Sequence, residues 1–276
     1  LNYILKGIFL FNYQEVLMKK AVLITGASSG IGAAAAEVFS QKGYFVYLLG
    51  RNAENLNKVL QKITQKSAEP SNPSKSGQII VCDLAQESDV LKVETVLKNM
   101  DPKIQIEALV NNAGIFQPHP FEEDNLNHWI GQFQTNLFGA VRITQIFFKY
   151  FKALKKGSVV NVSSTLGLRP VPGVSAYCAS KAAMVNWTQA LALEGAPFGI
   201  RANCVCPGMV DTPIHSFHSL PTDKKNEALV RLNQMQPLGR VGTPEEIAQS
   251  IYFLASDESP WTTGAILSVD GGIQIK

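Results

Sequence analysis

From Lys20 onward the chain alternates short apolar runs with longer amphipathic stretches, and this alternation constrains its fold more than any other feature. Ala21–Thr25, Tyr44–Leu49, Ile79–Cys82, Ala108–Val110, Ser158–Val162, Arg201–Val205 and Ala265–Val269 read as strands. Gly32–Gln41, Asn52–Gln65 and Ser175–Ala196 read as helices, and further helical patterns fill the other gaps. Strands that alternate with helices this regularly imply βαβ units and therefore a parallel sheet. Right-handed crossovers then place helices on both faces. The predicted fold is α/β, a three-layer doubly wound parallel sheet of the Rossmann type, in a single domain over residues 18–276.

Size and charge agree with that prediction. A chain of 276 residues, 46% of them hydrophobic, can bury one large core. Charged residues make up 17%, the formal net charge is +3, and no run of five basic residues occurs. A nucleic-acid-binding surface is therefore not expected. Lys19-Lys20 and Lys155-Lys156 read as solvated ends of elements. The four cysteines, Cys82, Cys178, Cys204 and Cys206, form no C-x-x-C pair. They are expected to be reduced thiols in a cytoplasmic protein. Cys204 and Cys206 would share a face of one strand, but no further Cys or His-x-His completes a site, so no metal is expected.

Two segments stand apart. Residues 1–17 precede Met18, and their apolar stretch Ile8–Phe11 is too short to span a bilayer, so no membrane association is expected. They read as a non-native or disordered extension upstream of a natural start at Met18. Residues 66–78, rich in Pro and Ser, read as an exposed, mobile loop.

The first strand runs into Thr25-Gly26-Ala27-Ser28-Ser29-Gly30-Ile31-Gly32 and an alanine-rich helix. Glycines at such a turn let backbone approach a pyrophosphate, and the helix N-terminus offers it free N–H groups and a positive dipole end. A purely structural turn can look similar, but the flanking strand and helix favour a dinucleotide. The second strand ends in Leu49-Gly50-Arg51-Asn52, where an NAD site would place an acid on the ribose 2′-hydroxyl. Arg51 suits a 2′-phosphate instead, so NADP is expected over NAD. The alternative is that Arg51 merely starts the next helix. Asp83, followed by Leu84, could accept from an adenine amino group or could cap a helix.

Tyr177 and Lys181 stand at i and i+4, one face of a helix. A phenol is a poor acid near neutral pH unless a cation favours its ionised form, and Lys181 supplies one. That spacing alone is uninformative. It gains weight from Asn111-Asn112-Ala113-Gly114 after the fourth strand, Ser164 ahead of Tyr177, Pro207-Gly208 after the sixth strand and Val269-Asp270-Gly271-Gly272 near the end. With the Gly26–Gly32 loop, these resemble the compact branch of the short-chain dehydrogenase/reductase family over about residues 18–273.

The resemblance implies an NADP-dependent oxidoreductase with Asn136, Ser164, Tyr177 and Lys181 as its catalytic set. Tyr177 would exchange a proton with the substrate oxygen, Lys181 would lower its pKa and hold ribose hydroxyls, and Ser164 would bind the same oxygen. Ser163 would be structural. Asn136 would help hold a proton-relay water. Gly26, Ser28, Ser29, Gly30, Ile31, Gly32, Arg51, Asp83, Leu84, Asn112, Ala113, Gly114, Pro207, Gly208, Val210 and Thr212 would line the cofactor. The substrate would be a small carbonyl or secondary alcohol, such as a 3-oxoacyl thioester or a cyclic or sugar-like ketone. A homo-oligomer, tetramer or dimer, is also implied.

Other parts of the chain are expected to shape the substrate side. Residues 213–238, with His215, Phe217, His218, Leu220 and Met235, could close as a lid, its histidines being ordinary loop residues. Phe116, His119 and Phe121 could form the opposite wall. Phe147, Phe148, Tyr150 and Phe151 suit either an interface or the core. Thr243-Pro244-Glu245-Glu246 reads as a helix start with Thr243 as N-cap. A non-catalytic NADP-binding regulator is the alternative function, disfavoured by the intact catalytic set. A nucleotide-sugar epimerase is disfavoured by the Gly26–Gly30 spacing and the lack of a large C-terminal domain.

Overall fold

In a computed structural model, which describes residues 18–66, 76–215 and 220–276, the apolar runs form one seven-stranded parallel sheet. The strands are β1 (Lys19–Thr25), β2 (Phe45–Gly50), β3 (Gly77–Val81), β4 (Ile104–Asn111), β5 (Gly157–Val162), β6 (Ile200–Pro207) and β7 (Ile266–Val269). Their order is β3-β2-β1-β4-β5-β6-β7, as expected of a doubly wound sheet. Helices α1 (Gly30–Gln41), α2 (Ala53–Gln65), α3 (Glu87–Lys98), α4 (Leu126–Phe133), α5 (Gly139–Leu154), α6 (Ser175–Gly195), α7 (Thr222–Met235) and α8 (Pro244–Ala255) fill the connections.

The side-chain alternation of a strand divides the core in two. Val22 and Ile24 of β1 point to one face and pack with α1, α2 and α8 through residues such as Phe39, Leu56 and Ile251. Ala21 and Leu23 point to the other face and pack with α3, α5 and α6 through Val93, Phe147 and Leu191. Both faces are covered, which is why the strands read as nearly continuous apolar runs. Phe147 and Phe151 are fully buried in the second core, with Phe148 and Tyr150 against it, so this cluster is core packing.

Strand β4 is longer than the apolar run Ala108–Val110 suggests, because polar Glu107 sits at a register shift against β1. Its carboxylate meets Lys20 at 3.3 Å and Lys156 at 3.0 Å, so a charged residue is tolerated inside the sheet. The expected N-terminal extension and most of the Pro/Ser-rich loop lie outside the described residues; its end, Gly77-Gln78, is already strand β3. Cys204 and Cys206 do share a face, with thiols 3.8 Å apart, and all four cysteines are free and buried. Among the described residues no helix is long and apolar enough to cross a membrane.

Buried amides tie the layers together under the C-terminal ends of the strands. Asn111 donates to the Thr144 hydroxyl of α5 and to Asn161 of β5, both at 2.8 Å. Asn161 donates in turn to the Thr188 hydroxyl of α6 at 2.8 Å. At the surface, Thr243 caps α8 in a complete capping box with Glu246. Asn161→Ala, which strands buried partners and leaves a hole, should cost about 2–3 kcal/mol. Thr243→Ala should cost only about 1 kcal/mol. Urea unfolding of both variants checks the ranking.

Candidate active site

Strand order reverses around β1 and β4, and the loops leaving these two strands are bound to each other. The Thr25 hydroxyl accepts from the backbone N–H groups of Asn112 and Ala113 at 2.9 and 3.0 Å. The Asn112 amide donates back to the carbonyls of Thr25 and Gly26 at 3.0 and 3.2 Å. So close an approach requires glycine. Gly26 has φ +64°, and a Cβ there would fall 2.8 Å from the Ala113 Cα. At Gly32 a Cβ would fall 2.3 Å from the Gly26 carbonyl oxygen.

This clasp opens into a cleft of about 570 Å³. Ser28, Ser29, Gly30 and Ile31 line it at the start of α1. Ser29 is the N-cap residue, but its hydroxyl makes no cap bond, and the first turn carries no acid. The helix end is thus suited to an anion, and the glycines leave the space a pyrophosphate needs. Arg51 after β2 and Asp83 and Leu84 after β3 line the same end of the cleft. Arg51 precedes the cap of α2, which is Asn52. Asp83 does not cap α3, whose N-cap is Gln86; its carboxylate accepts from Ala85 N–H at 3.0 Å in a tight turn.

The other end of the cleft is built on α6. Tyr177 and Lys181 are both buried, 8% and 4% exposed, and the Lys181 ammonium lies 5.8 Å from the Tyr177 ring centre. The Ser164 hydroxyl neighbours the phenol and favours its ionised form. Burial outweighs this and pushes the phenol up to about 12. Burial likewise pulls Lys181 down to about 8, with Cys204 and Cys206 acting the other way. Lys181 donates to the Val162 carbonyl at 2.8 Å, which fixes the ammonium at the end of β5. Ser163 turns away from the phenol and donates to the Lys181 carbonyl at 2.8 Å.

Every expected site residue except Gly32 and Asn136 lines this cleft, including Asn112, Ala113, Gly114, Pro207, Gly208, Val210 and Thr212. Gly32 lies behind the loop, as its contact with Gly26 requires. Asn136 is fully buried in a π-helical segment, Gln134–Phe138, between α4 and α5. Its oxygen accepts from Ile115 N–H at 2.8 Å, and its amide donates to the Ile115 carbonyl at 3.0 Å and to Ser180 at 3.2 Å. These bonds hold the strand-β4 loop beside Lys181. The side chain forms no part of the cleft wall.

The expected substrate wall is only partly as read. Phe116 lines the cleft and meets the Tyr177 ring edge-on, with centres 4.9 Å apart. His215 also lines it, 6.0 Å from the Phe116 ring. His119 instead packs against His128, whose ring nitrogen contacts Asp124 at 2.6 Å. Phe121 is 71% exposed on a short 3₁₀ turn, so it is not part of the wall. Phe217 and His218 lie outside the described residues. Leu166, Val171, Val174 and Ile273 also line the cleft, and no local pattern in the sequence marks them.

Comparison with known proteins agrees with this geometry. A family model described as "Enoyl-(Acyl carrier protein) reductase" matches residues 26–274. The 3-oxoacyl-[acyl-carrier-protein] reductase FabG of Thermotoga maritima is 39% identical over 256 residues, covering 93% of this chain and 98% of that protein. An NAD-dependent glycerol dehydrogenase of Listeria innocua is 35% identical, covering 96% of this chain and 98% of its own. The solved structure of ElxO with NADP bound superposes with a TM-score of 0.83 at 28% identity, covering 94% of this chain and all 100% of that one. The chain is an oxidoreductase and belongs to the short-chain dehydrogenase/reductase family.

Proposed function

We propose that the protein interconverts a carbonyl compound and its secondary alcohol with NADP(H), and that Tyr177 carries the proton. One observation supports this most strongly: a buried phenol, beside a serine hydroxyl and a lysine, opens into the same cleft as the glycine-rich loop.

When bound, the nicotinamide would supply or accept the hydride. The chain's residues would do the rest. Ser164 and Tyr177 form a pair of hydroxyl donors for one substrate oxygen, so charge developing there is met by preorganised hydrogen bonds. Burial by itself makes the phenol hold its proton too tightly; below its own midpoint of about 8, Lys181 would oppose this by favouring the phenolate. Gly114, Val210 and Thr212 would hold the ring face, and Asn136 is a positioning residue acting through Ile115. Arg51, with no acid in the Leu49–Asn52 stretch that ends β2, would pair with a 2′-phosphate. The named relatives differ here, one being NAD-dependent and another solved with NADP, so Arg51 is the residue to test. Nothing in the cleft favours the non-catalytic regulator.

Tyr177→Phe keeps the ring and its contact with Phe116 but removes the proton. It should lower ketone reduction by about 10²–10⁴-fold and leave cofactor affinity unchanged, as read by fluorescence titration. Binding without turnover in the wild type, unaffected by this change, would favour the regulator. Arg51→Asp should weaken NADPH relative to NADH by about 10–100-fold in kcat/KM. An unchanged ratio would remove Arg51 from phosphate recognition.

A further inference from the structure

Among the described residues, the substrate end of the cleft is mostly apolar. Beyond Ser164, Tyr177 and Lys181 its walls include Phe116, Leu166, Val174, Ile214, Met235 and Ile273. Arg51 and Asp83, the other charged residues of the lining, stand at the far end after β2 and β3. Hydroxyls that could have served a polar substrate are engaged elsewhere. Ser163 donates to the Lys181 carbonyl at 2.8 Å and Thr165 to the Pro207 carbonyl at 3.3 Å.

Cations close to this wall in the chain are engaged too. Arg169 donates to the carbonyls of Gln274 and Lys276 at 3.3 and 2.6 Å. The Lys276 ammonium donates to the Met235 carbonyl at 3.3 Å, and neither residue lines the cleft. His215 is the one further titratable side chain among the described lining residues, and its ring packs toward Phe116.

We infer that the substrate is a neutral ketone, or its secondary alcohol, flanked by hydrocarbon, and that carboxylates and polyols are rejected. This rests on the carbonyl-reductase reading and narrows its substrate class. With the carbonyl oxygen on Ser164 and Tyr177, the flanking groups of a substrate face Phe116 and the aliphatic wall. A carboxylate placed there loses its hydration and, beyond Tyr177, Lys181 and His215, meets no charged or titratable partner among the described lining residues. Extra hydroxyls lose theirs in the same way. Phe116 is the specificity-determining residue, because its edge-on contact puts an apolar surface against the Tyr177 ring. The site therefore differs in chemistry from one built for glycerol, although a glycerol dehydrogenase is among the relatives.

Three ketones read by NADPH oxidation test the inference: 4-methylcyclohexanone, 4-oxocyclohexanecarboxylate and dihydroxyacetone. The methyl compound should exceed both others by about 100-fold in kcat/KM. Met235→Arg places a cation on a half-exposed wall position (53%). It should raise the carboxylate-to-methyl ratio of kcat/KM by about tenfold or more. Wild-type turnover of the carboxylate or of dihydroxyacetone at or above the methyl ketone overturns the inference while leaving the carbonyl-reductase reading intact. Failure to reduce any of these or a wider set of ketones overturns both.

Discussion

The Thr25 hydroxyl joins the ends of the two strands on which the rest of the site depends. It accepts two backbone N–H groups from the β4 loop and lies 3.3 Å from the Val110 carbonyl, to which it donates. The Asn112 amide closes the clasp from the other side. With β1 and β4 held at backbone contact, Gly26 and Gly32 follow as steric requirements, and the start of α1 is aimed into the crevice where strand order reverses. A dinucleotide site at this place is a consequence of the topology. The sequence detail decides only which dinucleotide is bound and what is done with it.

The other end of the cleft depends on a second constraint, the burial of two ionisable groups a helical turn apart. Each is pushed toward its neutral form, the phenol up and the ammonium down. Each has a partner that limits the displacement. Ser164 does so for Tyr177. The ammonium donates to the Val162 carbonyl, and the cysteines of β6 raise its pKa. The pair is held in place by further hydrogen bonds: Ser163 anchors the Lys181 backbone, and Asn136 fixes Ile115 alongside. Phe116, Leu166 and Val174 line the cleft around the phenol.

Much of this was legible because it is local. Continuous apolar runs mark strands covered on both faces, and the i, i+4 spacing of Tyr177 and Lys181 is the spacing of one helix face. Thr243 and Glu246 form the capping box their spacing announces. What was not legible depends on chain paths. The apolar run understated β4 because Glu107 is charged, and only the bulge and its two lysines explain that residue. Phe116, His119 and Phe121 are equivalent on paper. The loop brings the first onto Tyr177, turns the second toward His128 and leaves the third in solvent. Asn136 could be recognised as special, but its bonds to Ile115 and Ser180 join segments far apart in the chain.

The central claim is that a phenol made unreactive by burial would be returned to a useful range by the positive charge of an oxidised nicotinamide bound beside it. Selective ¹³C labelling of tyrosine, with Tyr177 assigned from the Tyr177→Phe spectrum, measures that ionisation directly. In the free protein Tyr177 should titrate near 12. With NADP⁺ bound, its midpoint should fall by two pH units or more, roughly 3 kcal/mol of differential stabilisation. A midpoint unmoved by NADP⁺ would contradict the account.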